Sequence, residues 1–213
     1  MMGIYGGTFD PIHFGHLRSA LDVAETLSLS HVLMVPSASP PHRQTPEVSV
    51  SHRWEMLSLA LGEQDILQAD DREIRREGPS YTYDTLAEVR AEVGDTALCL
   101  IQGGDVFAQL DTWYRWQELL DLAHIVVMRR AGQQVQWSDA VTQHYRSAYQ
   151  EDCAVLSSQS AGCICEIDVT PVQISATDIR QRLLENKSAR YLVPENVYSY
   201  IEKNKLYQSV PEV

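Results

Sequence analysis

The sequence predicts an α/β protein built on a doubly wound, mostly parallel sheet. Three observations carry this expectation. Short apolar runs alternate with segments of helical period from end to end, the pattern of a parallel sheet covered by helices on both faces. Hydrophobic residues make up 44% and charged residues 22% of 213 residues, which suits one large domain with a real core. No internal repeat or low-complexity tract competes with that reading.

The first strand is expected over Met2 to Tyr5, and the next over His31 to Val35, Ile66 to Ala69, Ala97 to Ile101 and His124 to Met128, with a weaker sixth over Ile164 to Val169. Between the first two, apolar residues at 17, 20, 21, 24 and 27 predict a helix over Leu17 to Leu27, and Trp54 to Leu61 repeats the spacing. Ser51 ahead of Arg53, Thr82 ahead of Leu86, and Pro194 at the head of Glu195 to Lys203 supply helix-start signals. Residues 132–162 are polar and pattern-poor apart from a helix candidate over Ser138 to Tyr149, and read as a peripheral insertion in a single domain spanning 1–213.

A net charge of −12 disfavours nucleic acid or an anionic membrane as partner, since either needs a broad basic face to displace counterions. Any anionic ligand must meet positive charge concentrated locally. No run approaches the ~20 apolar residues of a membrane span, and no secretory leader is evident, so a cytoplasmic protein is expected. Cys99, Cys153, Cys163 and Cys165 form no C-x-x-C unit and are expected as free thiols. Nothing in the sequence sets an oligomeric state.

Chemistry concentrates in "GGTFDPIHFGH", residues 6–16. Gly6 and Gly7 follow a buried strand and let backbone approach a ligand closely. A helix beginning near Phe14 would aim its unpaired N–H groups and positive dipole end into the turn, which is a ready anion site. His13 and His16, three apart, fall on one side of that first turn, where both imidazoles reach a single anionic group. A zinc pair would need two further ligands that this neighbourhood lacks. Strand, Gly-Gly, Pro and two histidines at a helix start together favour a phosphate site over a capped turn. The chain has no G-x-x-x-x-G-K-[ST] and no G-x-G-x-x-G, so neither a P-loop enzyme nor a dehydrogenase fits. Arg43 and His42 follow the second strand in "VPSASPPHR", at the carboxyl edge of the sheet where open α/β proteins bind ligands.

The stretch His13-Phe14-Gly15-His16 resembles the H-x-G-H signature of the nucleotidyltransferase superfamily, and "ISATDIR" at 174–180 resembles its C-terminal motif. Within the superfamily the chain is most similar to bacterial nicotinate mononucleotide adenylyltransferases over nearly its full length. "GPSYTYDTL" at 78–86, "GGDVFAQLDTWYRW" at 103–116, "HIVVMRRAG" at 124–132 and "YLVPENVYSYIEKNKLY" at 191–207 resemble further blocks; Ala131 stands where such sequences often carry Pro.

The resemblance implies a Rossmann-like nucleotidyltransferase fold whose C-terminal part, 174–207, carries an ATP-binding motif and helices. It implies transfer of AMP from ATP, accompanied by Mg²⁺, to the 5′-phosphate of nicotinate mononucleotide. A phosphate monoester is already largely ionised at neutral pH, so the attacking oxygen needs no general base. Catalysis reduces to alignment and charge neutralisation. On that basis His16 is placed at the α-phosphate with His13 beside it, and the backbone of Gly6, Gly7, Thr8 and Phe9 near adenosine and phosphates. Ser175, Thr177 and Arg180 are placed at the β- and γ-phosphates, Ser175 or Thr177 also capping a helix. Arg43 is placed against the mononucleotide phosphate or the polyphosphate. Trp113, with Tyr81 and Thr82, is expected to hold the nicotinate ring and Trp116 to lie in the core. Asp105 is expected to accept from a ribose hydroxyl, and Asp10 to fix the turn. The competing readings are an adenylyltransferase acting on nicotinamide mononucleotide or phosphopantetheine, and a non-catalytic nucleotide-binding module on the same fold.

Overall fold

Alternate residues of the apolar runs face opposite sides of one sheet, and this explains why those runs are apolar throughout. The computed structural model describes residues 1–39, 45–130, 132 and 134–208. In chain order its elements are β1 (Met2–Gly7), α1 (Phe14–Leu27), β2 (Val32–Pro36), α2 (Val50–Leu61), β3 (Leu67–Ala69), α3 (Arg72–Arg75), α4 (Thr82–Val93), β4 (Leu98–Gly103), α5 (Gly104–Phe107), α6 (Leu119–Leu122), β5 (His124–Arg130), α7 (Asp139–Tyr145), β6 (Ile164–Val169), α8 (Ala176–Leu184) and α9 (Glu195–Asn204). Among the described residues the strands form one sheet in the order β3-β2-β1-β4-β5-β6, every pair parallel.

Cys99 and Ile101 of β4 and Val126 and Met128 of β5 pack beneath α1, α2, α8 and α9, through residues such as Val23, Met56, Ile179 and Ile201. Their neighbours Leu98, Leu100, Ile125 and Val127 pack on the other face against Leu86 and Val89 of α4, Phe107 of α5 and Leu119 of α6. Each such side chain removed fully from water contributes roughly 1.5–3 kcal/mol before chain entropy is set against it.

β6 spans the residues expected of it. β1 runs two residues further than expected, because Gly6 and Gly7 continue the ladder opposite Val35 and Pro36 of β2. Backbone pairing is indifferent to the missing side chains. α2 is capped by Ser49, whose hydroxyl accepts from the His52 N–H at 3.4 Å, and not by Ser51, which lies inside the helix.

Within 132–162, Val141 and Tyr145 join the core on the α4 face, and Leu156 joins it on the α1 face. One expectation is corrected. Cys153 and Cys165 are joined in a disulfide, leaving Cys99 and Cys163 as buried free thiols. The turn over 153–158 folds back along β6, and that tertiary path brings together two cysteines whose spacing carries no pairing signal.

Strand order makes β1 and β4 neighbours in space while the chain leaves them toward opposite faces of the sheet. Their carboxyl ends therefore part at a switch point, where a doubly wound sheet opens a crevice. The loops after β1 and β4 line it, and both carry residues singled out above.

Candidate active site

The crevice is a cleft of about 890 Å³ that continues into a second pocket of about 380 Å³. Gly6, Gly7, Thr8, Gln102, Asp105 and Val106 line both.

The larger cleft is built on the turn from β1 into α1. His13 is the N-cap of α1, in extended backbone, and its Nδ1 accepts the His16 N–H at 3.4 Å. That geometry lays the two imidazoles face to face, with centroids 3.7 Å apart and planes 22° from parallel. Gly15 suits this arrangement: a Cβ there would crowd the His13 ring at 3.0 Å. Gly7 has a similar reason, since a Cβ would meet the Phe9 ring at 2.7 Å; Phe9 itself is buried at φ 47°. At Gly6, in contrast, a Cβ would meet only the Val35 carbonyl oxygen, at 4.0 Å, so the protein's own packing does not demand glycine there.

Burial pushes the His13 pKa down to about 4, against a smaller upward pull from its backbone hydrogen bond. His13 is therefore neutral near pH 7, as its accepting role demands. Its partner His16 also meets the edge of the Phe9 ring, at 5.2 Å between centroids.

The turn is clamped by Asp10, as expected of that residue. Its buried carboxylate accepts from the Tyr207 hydroxyl at 2.6 Å and the Glu47 N–H at 2.8 Å, while its carbonyl accepts from Arg180 Nη1 at 2.8 Å. Tyr207 lies beyond α9, so the C-terminal region is fastened to the first turn of the chain. Buried beside this carboxylate, the Tyr207 hydroxyl is pushed well above its usual range.

Across the cleft, Ser175 is the N-cap of α8 and accepts the Asp178 N–H at 3.1 Å; this assigns the cap between the two candidates, with Thr177 exposed two residues on, in the first turn of the helix. Both residues line the cleft together with Arg180, whose Nε donates to Glu47 at 2.7 Å. Arg129 and Arg130 add basic groups at the end of β5, with Arg129 engaged by Asp168 at 2.7 Å and Glu166 at 3.1 Å. Thus Gly6, Gly7, Thr8, Phe9, His13, His16, Ser175, Thr177 and Arg180 do converge on one cleft.

The smaller pocket collects Tyr81, Thr82, Asp105 and Trp113, with the Tyr114 ring tilted 31° against that of Tyr81 at 4.5 Å between centroids. Trp113 is half-buried against this pocket, whereas Trp116 is core, as expected. Asp105 is exposed where the two cavities meet, and Gly103 makes room for it: a Cβ would come within 2.7 Å of its carboxylate. Arg43 and His42 lie outside the described residues.

Two buried charges lie behind these walls and were not singled out from the sequence. Arg53, 1% exposed, donates to the carbonyls of Thr8 at 2.8 Å and Ser37 at 2.7 Å. It shares the apolar stripe of α2 with Met56 and Leu57, and an arginine at that phase of a helix was the available signal. Glu73, in the short helix α3, lines the smaller pocket; no periodicity marks a four-residue helix.

A strand, a turn and a helix start hold paired imidazoles at a switch point of the sheet, and comparison with known proteins places the chain in a family. The cytidylyltransferase-like family matches residues 4–182, and the chain belongs to that family. Its full-length relatives narrow the kinship to nicotinate-nucleotide adenylyltransferases. A probable nicotinate-nucleotide adenylyltransferase of Methylococcus capsulatus is 43% identical over 97% of this chain and 99% of its own length. One from Pseudomonas entomophila is 45% identical over 98% and 95%. In fold, the chain resembles Plasmodium falciparum nicotinic acid mononucleotide adenylyltransferase complexed with NaAD, at a TM-score of 0.73 and 16% identity over 97% of this chain and 96% of that one.

The depressed His13 pKa sets a stability dependence. As pH falls, the unfolded chain takes up this proton near pH 6.5 and the folded chain only near 4. Stability fully present above 6.5 is lost progressively between the two values, by about 3 kcal/mol at the lower end. His13→Asn keeps a capping side chain without the titration. Urea unfolding from pH 7.5 to 4 should show the wild type losing that much more than the variant; parallel curves would refute a buried neutral His13.

Proposed function

We propose that this protein is a cytosolic enzyme that transfers the adenylyl group of ATP to the 5′-phosphate of nicotinate mononucleotide, yielding nicotinate adenine dinucleotide and pyrophosphate. The observation that carries the reading is the junction of two cavities. A cleft with paired imidazoles and two helix N-termini adjoins an aromatic-walled pocket, and the two share Gly6, Gly7, Thr8 and Asp105.

In this reading ATP occupies the larger cleft. An oxygen of the mononucleotide phosphate attacks the α-phosphorus, forming one P–O bond as the bond to the β-phosphate oxygen breaks, and the electron pair leaves with pyrophosphate. The acceptor arrives ionised, so no side chain has to take its proton. His16 donates toward the α-phosphate, where charge builds in the transition state, and His13 holds that ring from behind. The backbone of Gly6, Gly7, Thr8 and Phe9 borders the nucleotide. Ser175, Thr177 and the start of α8 receive the β- and γ-phosphates, with Arg180 supplying a forked charge.

Mg²⁺, when bound with ATP, would supply charge neutralisation on its phosphates. Among the described residues no group of three His, Cys, Asp or Glu side chains is placed to cage a cation. The acceptor takes the smaller pocket, with Trp113 against the pyridine ring, Tyr81 and Thr82 at its carboxylate and Asp105 at a ribose hydroxyl. Arg43 is assigned to the mononucleotide phosphate or the polyphosphate from its place in the sequence.

Purified protein incubated with ATP, Mg²⁺ and, separately, nicotinate mononucleotide, nicotinamide mononucleotide and phosphopantetheine should release pyrophosphate fastest with the first. Preference for another acceptor would reassign the substrate. ATP binding without turnover of any of them would point to a non-catalytic module.

Trp113→Ala should raise KM for the mononucleotide about tenfold, equivalent to ~1.4 kcal/mol of lost contact, with KM for ATP within twofold. Steady-state kinetics with each substrate varied in turn decides this, and an unchanged mononucleotide KM would remove Trp113 from the ring pocket.

A further inference from the structure

The acceptor pocket has two walls from distant parts of the chain. One is the start of α4, with Tyr81 and Thr82, and the other is the segment Thr112, Trp113 and Tyr114. One residue beyond each wall stands a side chain that the reaction scheme leaves unused, and the two meet. The guanidinium carbon of Arg115 lies over the Tyr83 ring, 3.8 Å from its centroid. Arg115 Nε donates to Glu118 at 2.7 Å and Nη2 to the other oxygen of the same carboxylate, which fixes the plane of the fork. Tyr83 packs against the core on the α4 face, so the ring that receives the cation is itself held.

The backbone shows why a hold is wanted at this place. The Trp116 N–H closes a turn on the Trp113 carbonyl at 3.3 Å, and within it Arg115 adopts φ 52°, ψ 37°. Glycine takes that left-handed conformation freely, whereas a side chain there carries a steric cost. An arginine in a glycine's position keeps the conformation more firmly when its side chain is docked. Trp116 anchors one end of the turn in the core, Trp113 is half-buried at the other, and the tip formed by Tyr114 and Arg115 is exposed. The Tyr114 ring lies beside Tyr81 at 4.5 Å and meets Tyr83 edge-on at 6.2 Å. Tip and helix start therefore touch through three rings and one cation.

We propose that Arg115 is a positioning residue for the acceptor: docked on Tyr83, it holds the turn that carries Trp113 and Tyr114 against the start of α4 and so fixes the spacing of the two aromatic walls. The inference rests on the assignment of the smaller pocket to the mononucleotide. Arg115 lines neither cavity, so its effect falls on how well the acceptor is held and not on ATP.

The test is a double-mutant cycle of Arg115→Gly and Tyr83→Leu on the full chain, with Tyr83→Phe as the conservative control. Glycine suits the positive φ and removes the docked side chain. Each single variant should raise KM for nicotinate mononucleotide about threefold, which is what one exposed cation–π contact can carry, and leave KM for ATP within about 1.5-fold. The double variant should stay near that value, since both changes break one contact, where independent effects would give about ninefold. Tyr83→Phe keeps the ring face and should keep the wild-type KM. In Tyr83→Leu an arginine is left at φ 52° without its support, and the Trp116 amide should exchange hydrogen about threefold faster, with exchange in the sheet unchanged.

Equal rises in both KM values, additive effects in the double variant, a Tyr83→Phe protein as impaired as Tyr83→Leu, or unchanged exchange at Trp116 would overturn the proposal. If Tyr83→Leu does not fold, Arg115→Gly must by itself show the KM split, and its failure to do so is equally decisive. Wild-type protein in the same assay separates the two readings. No turnover of nicotinate mononucleotide would strike the substrate assignment, and exchange at Trp116 would then decide whether Arg115 holds the turn.

Discussion

A neutral imidazole under another imidazole is the constraint on which the site depends. His13 caps α1 through a ring nitrogen that accepts the His16 N–H, and it does so while buried with its pKa held near 4. Were that ring protonated, the cap would lose its acceptor and a cation would lie 3.7 Å from the ring of His16. Keeping His13 neutral preserves the helix start and gives His16 a fixed orientation toward the cleft. The local sequence follows from this. Gly15 spares the His13 ring a tight contact at 3.0 Å, and Phe9 fills the space that Gly7 leaves beside His16.

The fold supplies position, and the clamps supply rigidity. A parallel sheet that changes direction between β1 and β4 opens a cleft, but loops at the carboxyl edge of a sheet are ordinarily its least ordered parts. Here the first loop is tied by Asp10 to Tyr207, Glu47 and Arg180, which come from distant parts of the chain. The second loop is tied by Arg53 on one side and Ser80 on the other. In a chain of net charge −12, a polyanion would need positive groups concentrated locally. Helix starts at α1 and α8, the two imidazoles and Arg180 converge on one cleft of a molecule that is acidic as a whole.

What the sequence disclosed and what it hid divide along physical lines. Strands buried on both faces are apolar without interruption, so all six were visible; the end of β1 was not, because ladder pairing through Gly6 and Gly7 involves no side chain. The conformation of the turn between β1 and α1 was legible because its residues are contiguous and each has a distinct conformational role. Trp113, Tyr81, Thr82 and Asp105 came from widely separated blocks and meet only through the fold. Arg53 and Glu73 were hidden because a charged residue reads as solvated unless its partners are known, and those partners are backbone carbonyls and hydroxyls far along the chain. The Cys153–Cys165 pair was hidden for a related reason, since only the return of the 153–158 turn along β6 joins it.

The central claim is that the stacked histidines face the reacting phosphorus of a bound nucleoside triphosphate. A crystal structure of the protein with a non-hydrolysable ATP analogue tests it directly. The account predicts the α-phosphate within hydrogen-bonding distance of the His16 ring, with His13 still neutral and capping α1 behind it. A triphosphate seated elsewhere in the cleft, with both rings packed away from it, would contradict the account.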